Sequence, residues 1–261
     1  YVKLSKFILF IVCFLSLILS GAASQDLHEI QSIVAKADEM LTYLDTDFTA
    51  LYRIETQTPG GGISITRATV SRRDRTNQFL VLILEPVSDK GKGYLKIGDN
   101  LWLYDPVGKT FMFSNATERF QNTSIRNSDF DRSNYSVNYK PIKAEKVILG
   151  KYNCTLVELQ AIKSNVTFPK VKLWIDETFL IRKVEDYSLS GQLLRTTAVP
   201  SYQKIGNRWV PASIIILDHL KSKNVQGKVE YEKTTITITQ PSLEKLPDYV
   251  YSKEYLEKIN K

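Results

Sequence analysis

From Asp47 to Thr239 the chain is a near-continuous succession of strand-length runs, divided by turns of a few residues, and this restricts it to an antiparallel sheet. "DFTALYRIETQT" and "ISITRATVSRR" flank "PGGG"; "QFLVLILEP", "YLKIGD", "LWLYDP" and "KTFMFSN" follow, separated by "SDKGKG", "DN" and "VGK". After residues 115–140 the pattern resumes with "AEKVILGK", "YNCTLVELQAIK", "KVKLWIDE", "LIRKVEDYS", "LLRTTAVPSYQKI", "RWVPASIIILDHL" and "KVEYEKTTITIT". The expected fold is mainly β (α+β): one curved antiparallel sheet of about eleven to twelve strands.

Several of these strands are apolar on both faces. In "FLVLILEP" Phe79, Val81 and Ile83 point one way while Leu80, Leu82 and Leu84 point the other. "LWLYDP" likewise sets Leu101 and Leu103 against Trp102 and Tyr104. A sheet wetted on one side alternates apolar with polar, so both faces must be covered. Either helices close one face and the folded sheet the other, or one face encloses an apolar cavity.

The amino terminus has Lys3 and Lys6, an apolar run from Phe7 to Leu19, and small residues Gly21 to Ser24. This is the layout of a cleavable signal peptide over residues 1–24, with an uncleaved anchor as the alternative, and it leaves residues 25–261 as one domain. Leu27, Ile30, Ile33, Val34, Ala37, Met40 and Leu41 then recur at helical spacing, which predicts an amphipathic helix over 25–44. Residues 115–140 are polar and aperiodic, punctuated by Ile125, Phe130 and Tyr135, and form an excursion of the kind that is usually functional or mobile. A short helix over 250–260, with Ser252 as its cap, ends the chain.

The formal charge is +7, of which the first 24 residues supply two, and the basic residues are interleaved with acids. That pattern fits a solvated surface, and no nucleic-acid partner is expected. Cys13 lies in the apolar run, so only Cys154 remains after cleavage and no internal disulfide can form. His28 and His219 have no partners at metal-ligand spacing, and there is no nucleophile elbow or phosphate loop. Asp176, Glu177, Glu185 and Asp186 are carboxylates that could pair across strands as glycosidase acids do, but strand-end acids are more often structural. The expectation is a binding protein with no catalytic residues, cofactor or metal.

"FLVLILEP", "KGKGYLKIGDNLWLYDPVGKTFMFSN", "NSDF" and "VKLWIDETFLIRKVEDYSLSGQLLRTTAV" occur in an order that resembles the LolA-like outer-membrane lipoprotein-sorting family over about residues 45 to 245. The resemblance implies an incomplete antiparallel β-barrel whose concave face is covered by helices and encloses an apolar cavity for acyl chains. It places Phe79, Val81, Ile83, Trp102, Tyr104, Phe111 and Phe113 at the cavity, and Leu27, Ile30, Val34 and Leu41 in its lid. A gating arginine of the family falls nearest Arg75. The sequence departs from the family at Asn127, where many members have glycine, and at Phe111 to Phe113, where they have arginines. The implied role is a periplasmic carrier of lipoprotein or lipid acyl chains, loaded by an inner-membrane donor complex and unloaded to an outer-membrane acceptor. The alternative is a binding module that senses lipid or lipoprotein, or adheres, without transporting.

Overall fold

The computed structural model describes residues 27–260. The expected signal peptide and the start of the first helix lie outside the described residues. Helix α1 covers residues 27–40. Six strands follow: β1 (Phe48–Gln57), β2 (Ile63–Arg73), β3 (Gln78–Glu85), β4 (Gly93–Ile97), β5 (Asn100–Asp105) and β6 (Thr110–Ser114). After the excursion and a one-turn helix α2 (Tyr135–Asn138) come seven more. These are β7 (Tyr139–Leu149), β8 (Tyr152–Ala161), β9 (Lys170–Asp176), β10 (Ile181–Tyr187), β11 (Leu193–Ile205), β12 (Arg208–Val225) and β13 (Lys228–Ser242). Helix α3 (Lys253–Ile259) closes the described chain.

All thirteen strands form one antiparallel sheet in the order β6-β5-β4-β3-β2-β1-β13-β12-β11-β10-β9-β8-β7. Two meanders, β1 to β6 and β7 to β13, are joined where β1 pairs with β13. Because β6 and β7 stand at opposite ends of the order, the curved sheet is an unclosed barrel. The count exceeds the eleven to twelve strands expected, and β7 begins at Tyr139, several residues before the apolar run that marks it in the sequence.

This topology dictates the path of the excursion. It must carry the chain from one edge strand to the other, and it does so across the concave face. Phe120, Ile125 and Phe130 of the excursion are buried against Phe48, Ala50 and Ile54 of β1, Phe79, Val81 and Ile83 of β3, and Ile236 and Ile238 of β13. Beside it, α1 lays Val34 and Ala37 on Val157, Leu173, Ile175 and Val184 of the other meander. The concave face therefore has a two-part roof, a helix over β7 to β10 and a loop over β1 to β5 and β13.

The opposite face of the first meander is covered by α3. Leu256 is buried against Leu80, Leu95 and Tyr104, with Trp102 and Phe111 at the margin. Ser252 caps this helix by accepting the Tyr255 N–H. Close approach depends on Gly93, where an added Cβ would lie 2.4 Å from Leu256 Cδ2. Gly93→Ala is expected to lower the unfolding free energy by about 1–3 kcal/mol by overpacking. Urea denaturation measures this, and amide exchange should show the loss concentrated in α3.

A buried ion cluster ties the segment before α3 to the sheet. Asp47, fully buried, accepts from Arg73 Nε at 3.0 Å and Nη2 at 2.8 Å, from Arg75 Nη1 at 2.7 Å and from the Leu246 N–H at 2.7 Å. Burial raises the Asp47 pKa, but these donors outweigh it and hold the carboxyl below the ordinary aspartate value.

Candidate functional site

The site is the concave hollow and the loop inside it. One cross-strand row of the inner face runs Phe48, Arg72, Phe79, Lys96, Leu101 from β1 to β5. The next inward positions are Ala50, Val70, Val81, Tyr94 and Leu103. Beyond β1 the wall continues through Ile236 and Ile238 of β13 and Val210 and Ile216 of β12. It is a largely apolar surface interrupted by Arg72 and Lys96, and where the resemblance implies an open cavity the structure has the loop packed onto it. Phe130 lies 5.9 Å from the Phe79 ring and 4.9 Å from Phe120, which in turn lies 4.8 Å from Tyr94.

Polar contacts fasten the loop at its margins. Arg119 of the loop pairs with Asp218 and, at 3.1 Å, with Glu232, while Ser124 Oγ donates to Glu232 at 2.8 Å. Asp129 receives a two-pronged contact from Arg195 at 2.6 and 3.0 Å, and Arg195 also holds Asp186 at 2.8 Å. Asp131 takes Lys96 Nζ at 2.5 Å. On the helix side, Asp38 of α1 caps α2 by accepting the Tyr135 N–H at 3.1 Å and the Ser136 N–H at 2.7 Å, with Ser133 Oγ as a further donor. Three apolar side chains and these polar contacts thus hold the loop against the wall.

Burial pushes the Asp131 carboxyl above its ordinary range against the pull of Lys96 and Arg72, with Asp129 adding to the rise. Asp186 is raised in the same way against Arg195 and Arg126. A group whose pKa is raised in the closed state binds its proton more tightly there, so closure is favoured on acidification and loosens as pH rises through the raised pKa. Amide-exchange protection of residues 118–131, corrected for intrinsic rates, is therefore expected to fall between acidic and neutral pH. Asp47 and Asp176 have the opposite sign. Burial of Asp176 is outweighed by bonds from Thr178, Arg182 and Leu180, so both carboxyls sit below 3.8. Their stabilisation is complete above about pH 4 to 5 and is lost as pH falls through the depressed values.

A family model described as "Uncharacterized protein" matches residues 75–258. The chain belongs to that family. Its fold is LolA-like. A LolA superfamily protein from Nitrosomonas europaea is 28% identical, with a TM-score of 0.72 over 86% of this chain and 98% of that one. A domain from Vibrio parahaemolyticus named for outer-membrane lipoprotein sorting is 18% identical, with a TM-score of 0.73 over 86% and 97%. A DUF1329 family protein from Desulfovibrio piger is 14% identical, with a TM-score of 0.77 over 88% and 98%, and shares the fold. No curated protein matches the sequence.

The seven residues expected at one cavity are divided between two faces. Phe79, Val81 and Ile83 face the hollow under the loop. Register pairs Leu80 with Leu95, Leu95 with Trp102 and Trp102 with Phe113, and pairs Tyr104 with Phe111. These four aromatics therefore share the α3 face. There Trp102 stacks on Phe113 at 3.7 Å, Lys253 Nζ sits 3.1 Å from the Trp102 ring centroid, and Phe113 is 70% exposed. Of the expected lid residues, Val34 is buried, Ile30 and Leu41 are half-buried, and Leu27 is 42% exposed at the start of α1. Arg75 lies on the turn after β2 and pairs with Asp47; arginines that do face the hollow are Arg72 and Arg195.

The four carboxylates weighed as acids do not form a pair. Asp186 faces the hollow with Arg195, and Glu185 faces the other side with Lys183 and Tyr187. Asp176 caps the β9 to β10 turn. An open depression of about 370 Å³ lined by Ile142, Glu158, Lys172 and Tyr187 lies on that other side, away from the hollow.

The residues that sequence reasoning missed are Phe120 and the charged wall positions Arg72, Lys96, Arg195, Asp218 and Glu232. A signal was present in "YLKI", where Lys96 shares a strand face with Tyr94, and in the alternation of Arg72 with Val70. A charge at an apolar-facing strand position marks either an edge or a partnered interior ion.

Proposed function

We propose that the protein is a carrier-type binding protein of the periplasm that takes acyl chains of a lipoprotein or lipid into the hollow and conveys them towards the outer membrane. An inner-membrane donor and an outer-membrane acceptor fit that role, and no covalent chemistry is required of it. The observation that carries the reading is the replaceable filling: an apolar wall met by three loop side chains, Phe120, Ile125 and Phe130, on a segment fastened by ion pairs. The likeness to the Nitrosomonas europaea LolA superfamily protein supports it.

The energetics fit as well. Each methylene taken from water is worth about 0.8 kcal/mol, so an acyl chain of about sixteen carbons faces a barrier on the order of 10 kcal/mol to crossing water unaided. Binding beneath the loop replaces contact with water by contact with Val81, Ile216 and Ile236, at the cost of displacing the loop.

Locking the loop tests this. Ser133 and Asp38 touch, so Asp38→Cys with Ser133→Cys places two thiols within reach of a cross-link between loop and α1. A fluorescent fatty-acyl probe is expected to bind the reduced double variant and to lose about tenfold or more in affinity when the pair is oxidised, with recovery on reduction. Equal binding in both states would overturn the proposal.

A further inference from the structure

The inner wall is not uniformly apolar, and its charges are unevenly placed. At the end of the hollow formed by the β2 to β3 and β4 to β5 turns, Arg72 and Lys96 flank Phe79 on one cross-strand row. Arg72 has a partner on its own strand end, Asp74, at 2.6 Å. Lys96 has only the Asn77 amide oxygen at 3.3 Å from the sheet's own connections. Its carboxylate is Asp131, which belongs to the loop, and the Asp131 carbonyl also accepts from Arg72 at 3.5 Å.

At the opposite end the balance reverses. Asp186, Arg195, Asp218 and Glu232 lie on successive strands β10 to β13, three carboxylates to one guanidinium, with Lys221 reaching Glu232 from the flank. Lifting the loop withdraws Asp131 from the first end, and Arg119 and Asp129 from the second. The first is left with a cation that has no carboxylate, whereas at the second Glu232 keeps Lys221, Asp186 keeps Arg195, and Asp218 is the carboxylate left without its cation.

The loop thus presents Asp129-Phe130-Asp131 to the wall as an apolar group next to an anion, and the wall is built to receive that pairing. We infer that the client of the hollow is an anionic amphiphile whose phosphate or carboxylate takes the place of the Asp131 carboxylate on Lys96 and Arg72 while its chain takes the place of Phe130. This rests on the acyl-binding reading above and narrows it. An uncharged acylglycerol group would leave Lys96 enclosed beside Phe79 without a counter-charge, which is unfavourable; an anion restores the charge-assisted bond that the loop supplied.

The test is a comparison of dodecyl phosphate, laurate and monolaurin, equal in chain length and different in charge, by calorimetric titration below their micelle concentrations. The wild-type protein is expected to bind one of the two anions about tenfold or more tighter than monolaurin. Lys96→Met, which keeps the stem, should bring that ratio to about one while monolaurin binding persists. Asp131→Asn, which removes the competing carboxylate and leaves Lys96 in place, should widen the ratio and decides the matter even if the Lys96 variant folds poorly. Phosphate ahead of laurate points to a phospholipid source, laurate ahead to a free fatty acid. A wild-type ratio near one that neither variant moves, with monolaurin bound, overturns the anionic assignment and leaves acyl binding standing. Binding of none of the three by the wild type or by Asp131→Asn overturns both.

Discussion

Phe130→Ala is expected to lower the unfolding free energy by about 3–5 kcal/mol and, in the same molecule, to tighten acyl binding. Phe130 is buried among Phe79, Phe120 and Tyr52, and truncating it leaves a ring-sized void that its rigid neighbours on β1 and β3 fill poorly. The closed loop loses that contact while the open loop loses nothing. If the open state is the competent one, apparent affinity rises in proportion to its population, about tenfold for each 1.4 kcal/mol removed from closure, until opening is complete. A purely structural loop gives the first effect without the second. Denaturant titration reads the stability and probe titration reads the affinity; a fall in both would contradict the role assigned to the loop.

Asp47→Ala is the other large effect, expected at about 3–5 kcal/mol and independent of ligand. The carboxylate satisfies Arg73, Arg75 and the Leu246 N–H at once, and Arg73, itself buried, keeps the exposed Asp248, the Leu246 carbonyl and the face of Tyr251 when it is gone. Removing one member of a buried pair costs more than removing both, because the survivor is left enclosed and uncompensated. Asp47→Leu combined with Arg73→Met is therefore expected to be more stable than Asp47→Ala alone. The double-mutant cycle measured by urea denaturation checks the sign. Since Asp47 is also one of the carboxyls held below their ordinary range, its loss should flatten the decline of stability below about pH 4.

What was readable in the sequence follows from which forces act locally. Strand alternation is set by the backbone itself, so the two-faced character of β3 and the succession of antiparallel neighbours could be read directly. The buried face of α1 and the Ser252 cap were also legible, because helical spacing and cap chemistry act locally. Alternation says which side chains share a face within one strand, but not which face of the sheet is concave, nor how parity passes from strand to strand. That passage depends on register across the 86–92 connection, and it sets Trp102, Tyr104, Phe111 and Phe113 on the α3 face opposite Phe79. The loop was hidden for a different reason. Its apolar residues are spaced by no element's period, because their positions are fixed by where an irregular chain crosses the wall. Only their presence in a polar segment gave a hint, and Phe120 gave none. The buried ions were legible only as exceptions to alternation.

The acyl-binding reading is tested most directly by where a bound chain lies. A fatty-acyl probe with a photoreactive diazirine near its tail end, bound to the protein and irradiated, should label peptides of the inner wall. Those carrying Val81, Tyr94, Ile216 and Ile236 are expected, together with the loop around Phe120 and Phe130. Label confined to the α3 face around Trp102, Phe113 and Lys253, or no specific label at saturating probe, would show that the hollow is a core and not a site.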